Sequence, residues 1–153
     1  NQEQTKLSDG SITYDKKYTE SSNYETVNRR AIEYNTGPMY NLEKFKYISP
    51  KLFKEFEKLC LEILNNNIEL SIWIPPYHPK VYKKLKQEYQ ILLKLENKIL
   101  NFASSKKIEV SGSINPHKSG LISENFYDGM HLKEDILKCG QFFKTLAIFP
   151  SCD

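Results

Sequence analysis

Arginine is almost missing from this chain of 153 residues: 22 side chains are basic, yet Arg29 and Arg30 are the only arginines. Phosphate recognition favours clustered positive charge and the two-pronged arginine fork. Here the lysines are scattered among 19 acids for a net charge of +3, so no nucleic-acid partner is implied. Cysteine is scarce too. Cys60, Cys139 and Cys152 show no metal-ligand spacing and form no even set for a disulfide framework. No apolar run reaches the roughly eighteen residues that a membrane span needs, and no basic start followed by an apolar stretch marks a signal peptide. An initiating Met is also lacking, as expected of a processed product, an engineered form or the back end of a longer protein. Compartment is not legible from these absences; cell envelope and cytoplasm both stay open.

Aromatic residues, by contrast, are plentiful, with ten Tyr, eight Phe and one Trp. Together with 39% hydrophobic residues they supply one core of ordinary size, despite a mean hydropathy of -0.58. Residues 1–48 are polar and Tyr-rich, poor in Leu, Ile and Val, and cannot build a core alone. This segment is expected to pack on the rest of the fold. Within it Ser8-Asp9-Gly10-Ser11 reads as a turn, Ile12-Thr13-Tyr14 as extended, and Tyr24 to Tyr34 as a weak helix closed by Gly37-Pro38.

The pattern sharpens from Ser49, an N-cap followed by Pro50 at the first helical position. Leu52, Phe56, Leu59, Cys60 and Ile63 then give an apolar stripe at helical spacing, with Cys60 read as an inert buried thiol. The run Asn65-Asn66-Asn67 stops the helix. Alternation over Ile68–Ile74 predicts a strand, with Trp73 in the core, and Pro75–Pro79 a rigid turn. A single helix is expected over 79–104, with Tyr82, Leu85, Tyr89, Leu92, Ile99 and Phe102 facing inward. Its lysines (Lys83, Lys84, Lys94, Lys98), with Glu88 and Glu96 among them, read as a solvated surface. A second strand follows at 108–113, and a last helix over 131–146. Strand, long helix, strand is a βαβ unit with parallel strands and a right-handed crossover.

In open parallel sheets, ligands meet the loops beyond the carboxyl ends of the strands. Those loops hold every histidine of the chain: His78, His117 and His131. The most informative string is Phe126-Tyr127-Asp128-Gly129-Met130-His131. An Asp and a His three apart around a Gly can share one tight turn, where the carboxylate accepts from Nδ1–H and leaves Nε2 as a base. The plainer alternative makes Asp128 a helix N-cap and His131 an exposed first-turn residue. His78 is either a substrate-contacting or supporting group, or a surface residue in a Pro-rich turn; His117 is expected in solvent. Three histidines at one edge could also hold zinc, but their separations carry no ligand signature, and no metal or other cofactor is implied. Ser111 and Ser113 after the second strand are candidates for a local nucleophile, but strand-end serines usually just satisfy backbone groups and no nucleophile-elbow pattern surrounds either; Ser123, next to Glu124, reads as a loop or cap residue.

The Asp-x-x-His block before a C-terminal helix resembles the final block of SGNH (GDSL-like) hydrolases. The strings Phe-Tyr-Asp-Gly-Met-His, Ile-Trp-Ile-Pro-Pro-Tyr-His-Pro and Gly-Ser-Ile-Asn-Pro look like a subgroup from bacterial surface-polysaccharide loci. The resemblance spans roughly residues 48–147. It implies an α/β protein, a partial three-layer α/β/α flavodoxin-like fold, with residues 49–153 as the C-terminal half of an SGNH-like domain. It further implies a serine esterase or O-acyltransferase acting on an acylated carbohydrate or polysaccharide. In that reading His131 is the base, Asp128 its orienting acid, and Tyr77, His78 and Tyr127 are substrate contacts. The family's Gly-Asp-Ser block and its oxyanion-hole blocks do not occur in the sequence. The nucleophile is therefore expected from an N-terminal half or a second chain. The alternative is a non-catalytic α/β binding or assembly module on the same frame. Either way the exposed sheet edge is expected to be paired by the N-terminal segment, another chain or a further strand.

Overall fold

A computed structural model describes residues 4–6, 8, 12–39 and 41–139. Two short strands, β1 (Gln4–Lys6) and β2 (Ile12–Tyr14), pair antiparallel with Thr5 opposite Thr13. The turn expected between them lies mostly outside the described residues. Next come α1 (Lys16–Glu20) and α2 (Tyr24–Thr36). The Asn23 side chain caps α2 by accepting from the Thr26 N–H at 2.9 Å, and Val27 and Ala31 are buried on its inner face.

Helix α3 (Pro50–Asn65) starts where Ser49 and Pro50 direct it, with the Ser49 hydroxyl accepting from the Leu52 N–H at 3.3 Å. Its buried edge is Phe53 and Cys60 rather than the whole anticipated stripe: Leu52 and Leu59 are 71% and 57% exposed. The stripe is wider than the surface available to cover it. Phe53, Phe56 and Phe102 meet edge-on or tilted, with ring centroids 5.6 to 6.5 Å apart.

Strand β3 (Ser71–Ile74) pairs parallel with β4 (Glu109–Gly112), Ser71 opposite Glu109 and Ile74 opposite Gly112. The fold is thus α/β, with parallel strands separated by helices as the βαβ pattern requires. The ladder begins later than residue 68 because the chain is still closing α3 there. Asn67 turns left-handed (φ 58) and the Ile68 N–H bonds back to the Ile63 carbonyl at 3.2 Å. The single crossover helix expected over 79–104 is two helices, α4 (Pro79–Glu88) and α5 (Gln90–Lys106). Tyr89 leaves helical geometry (φ -125, ψ 46) at a point with no Gly or Pro. Tyr82, Leu85, Tyr89 and Leu92 all pack in one cluster across that break, so tertiary packing overrides local helix propensity. The last helix, α6, runs Glu134–Cys139 in the described residues; the remainder expected to 146 lies outside them.

Two readings of side-chain environment are corrected. Trp73 is 39% exposed instead of core, because Ile72 and Ile74 take the inward face of β3 and the alternation turns the indole the other way. Glu96 is only 5% exposed instead of solvated; it accepts from the Ser113 hydroxyl at 2.5 Å and the Ile114 N–H at 3.3 Å. That bond, with the Asn115 N–H donating to Ser113 Oγ at 3.1 Å, occupies the one buried serine of the β4 end in structure rather than chemistry.

Three apolar clusters organise the interior. One joins Ala31 and Met39 of the N-terminal segment to Ile74, Val81, Leu85, Leu92 and Ile114. A second holds α3 to α5 through Phe53, Cys60, Phe102 and Ala103. The third, Val27 with Leu121, Phe126 and Leu132, fastens α2 to the loop that carries the Asp-x-x-His block. The N-terminal segment therefore packs on the body of the fold, but none of its described residues pairs the β3–β4 edge. Among the described residues no third strand joins that sheet. No described helix is long and apolar enough to cross a membrane.

Candidate functional site

The loop from Phe126 to Leu132 doubles back on itself. These two residues bridge antiparallel, the Tyr127 N–H donates to the His131 carbonyl at 2.8 Å, and the Lys133 N–H donates to the Asn125 carbonyl at 2.9 Å. Asp128 fills the tip from inside. Its Oδ1 accepts from the backbone N–H groups of Met130 and His131 at 2.8 and 2.9 Å, an Asx turn that only a short side-chain acceptor can make. Asp128 is not the N-cap of the last helix, which starts at Glu134.

Oδ2 of the same carboxylate faces His131 Nδ1 at 2.8 Å and the Tyr18 hydroxyl at 2.6 Å. A carboxylate oxygen only accepts, so in neutral His131 the proton sits on Nδ1 and Nε2 carries the basic lone pair. The histidine side chain is 35% exposed and the Asp side chain 2%. Burial pushes the Asp128 carboxyl up, but the hydrogen bonds from His131, Tyr18 and the Met130 N–H, with the charge of His131, bring it below its ordinary value.

His78, expected at the turn surface or against a substrate, is fully buried. As N-cap of α4 its Nδ1 accepts from the Lys80 N–H at 3.2 Å, and its own N–H donates to the Gly129 carbonyl at 3.0 Å. Its ring packs edge-on against Phe126 with centroids 5.5 Å apart. The cap assigns its proton to Nε2, an atom with no hydrogen-bond partner among the described residues. Burial, then the nearby Lys80 cation, lower its pKa to about 4, against a smaller upward pull from Asp128 and Glu124.

Tyr77 is half-buried against the first core cluster and donates its backbone N–H to the Ile114 carbonyl at 3.2 Å. Tyr127 is half-buried beside Tyr18, and burial raises its phenol pKa, with Glu134 and Asp135 adding to the rise and a hydrogen bond accepted from the Glu134 backbone opposing it. His117 is exposed. Among the described residues no three His, Cys, Asp or Glu side chains are placed to hold a metal ion, so the histidines form no ligand set.

The N-terminal segment contributes what sequence reasoning missed. Besides the Tyr18 hydroxyl, Arg30 of α2 donates to the Tyr127 carbonyl at 3.1 Å while its guanidinium lies 3.7 Å over the Tyr18 ring. The Tyr34 ring sits flat enough on Gly129 that an added Cβ there would lie 2.5 Å from it, which explains the glycine inside the block. Tyr18 and Asp128 are 110 residues apart, and no local pattern links them. The chain matches no family model, no curated protein and no solved structure.

Proposed function

We propose that the chain is the C-terminal part of an SGNH-like esterase or O-acyltransferase acting on ester groups of a carbohydrate, built on a flavodoxin-like three-layer frame. The observation that carries this reading is the 2.8 Å contact of His131 Nδ1 with a buried carboxylate that is itself held by two backbone N–H groups. In the reaction His131 Nε2 takes the proton of a serine hydroxyl as that oxygen attacks the ester carbonyl. The tetrahedral oxyanion collapses, the sugar oxygen leaves with the proton from the imidazolium, and the acyl group stays on serine. Water or an acceptor hydroxyl then takes the acyl group by the same steps. Asp128 holds the tautomer and offsets the imidazolium charge. The serine comes from an N-terminal half or a second chain, since Ser113 is engaged with Glu96.

The test is to join the chain to the polypeptide encoded upstream of Asn1 and to measure hydrolysis of an aryl acetate. Hydrolysis should fall about a thousandfold or more in His131→Ala and in Asp128→Asn. No activity in the joined protein, or activity indifferent to His131, rejects the reading. A different feature favours the second reading, a non-catalytic binding or assembly module. An apolar groove of about 310 Å³, lined by Phe45, Ile48, Leu52, Phe53, Phe56 and Ile99, lies on α3 away from the Asp–His pair.

A further inference from the structure

The Asp128 carboxylate is shared. Two donors from distant parts of the chain converge on one oxygen, His131 Nδ1 at 2.8 Å and the Tyr18 hydroxyl at 2.6 Å. Hydrogen bonds to a single acceptor oxygen compete, because each withdraws negative charge that the other would use. Tyr18 is not a casual neighbour. The Arg30 guanidinium covers its ring at 3.7 Å, and Arg30 Nη1 also bonds the Tyr18 carbonyl at 3.2 Å, Ser22 Oγ at 3.2 Å and the Tyr127 carbonyl at 3.1 Å. A cation over a phenol ring favours the phenolate side of the O–H bond and so makes the hydroxyl a stronger donor. Asp128 also acts on the buried His78 of the turn before α4, which feels in addition the charges of Lys80 and Glu124.

We infer that Tyr18 is a positioning residue for His131: by holding the same carboxylate oxygen, with Arg30 behind it, the N-terminal segment sets how strongly Asp128 grips the imidazole. The inference rests on the reading of His131 as a base only for its consequence in catalysis; the competition itself is a property of the folded chain. Removing the phenol hydroxyl leaves Oδ2 to the imidazole, so the Nδ1–H bond tightens. A more acidic phenol does the reverse.

The test compares Tyr18→Phe, which keeps the ring beneath Arg30, with a ring-fluorinated tyrosine at position 18, which keeps the shape and strengthens the donor. The readouts are the ¹⁵N shift of His131 Nδ1 and the titration midpoint of the Asp128 carboxyl, both by NMR on the full chain. Tyr18→Phe should move Nδ1 downfield and raise the carboxyl midpoint; fluorination should move both the opposite way. Resonances that stay in place in either protein, or that move in the same sense in both, overturn the inference. Esterase activity of the joined protein is read separately. Opposed shifts with no hydrolysis leave the positioning role standing and remove the catalytic reading, whereas hydrolysis with unmoved resonances does the converse.

Discussion

His78 and His131 lie at the same end of the parallel sheet, on loops joined by the bond from the His78 N–H to the Gly129 carbonyl, yet they are opposite in chemistry. His131 is bound by a carboxylate through Nδ1 and is 35% exposed in its side chain. His78 accepts a backbone N–H at Nδ1, is fully buried, and holds its proton on Nε2. One ring lies against an anion, and the other is kept neutral by its burial. What differs is the partner at Nδ1, an anion in one case and a donor in the other, and each partner follows from the local backbone. A turn around Gly129 folds a carboxylate under His131, while Pro79 starts a helix whose first N–H groups need an acceptor at position 78.

The contrast can be broken most strongly from the carboxylate side. Asp128→Ala strands two backbone N–H groups and the Tyr18 hydroxyl in a nearly closed turn, and should cost about 3–5 kcal/mol of stability, measured by urea denaturation. A loss below about 1 kcal/mol would mean that water replaces the carboxylate and the turn is not built around it.

The second prediction concerns pH and belongs to His78 alone. Above pH 6.5 its imidazole is neutral folded or unfolded and adds no pH dependence. Between 6.5 and about 4 the unfolded chain takes up a proton that the folded one refuses, so stability falls as pH falls through that window. The loss has an upper bound on the order of 3 kcal/mol by the lower end. Asp128, held below its ordinary carboxylate range, loses its contribution only at more acidic pH still. Denaturation curves at several pH values should show this slope, and His78→Asn, which keeps a capping acceptor without a titrating ring, should flatten it. An unchanged slope in that variant would assign the acid sensitivity to other groups.

The smallest effect on stability should come from His131→Ala. It removes the hydrogen bond to the Asp128 carboxylate and a partly exposed ring, while the two backbone N–H groups and Tyr18 still hold that carboxylate, at a cost of about 1.5–2 kcal/mol. That small cost against a large loss of hydrolysis in the joined protein is the signature expected of a reacting group. A stability loss as large as that of Asp128→Ala would make His131 a structural residue like His78.

The Asp–His turn was legible because everything it needs lies within four residues: acceptor, glycine and imidazole. The parallel strands, the Ser49-Pro50 helix start and the helix beginning at Tyr24 were legible for the same reason, being set by period and caps. What was not legible depends on contacts far along the chain. Glu96 looks like any acid on a Lys-rich helix until Ser113 and Ile114 arrive across the sheet to bond it. Trp73 reads as core under an expectation of two covered sheet faces, and in the fold it stays 39% exposed. Tyr18 and Arg30 belong to a polar segment whose composition signals only that it cannot fold alone.

The partial exposure of Trp73 on β3 has a practical consequence. Trp73 is the chain's sole indole, and it stands where any further strand, helix or chain covering that side of the sheet would land. Its fluorescence is therefore a built-in gauge of assembly. A blue-shifted, less quenchable emission on adding a candidate partner would report packing on that face without any label.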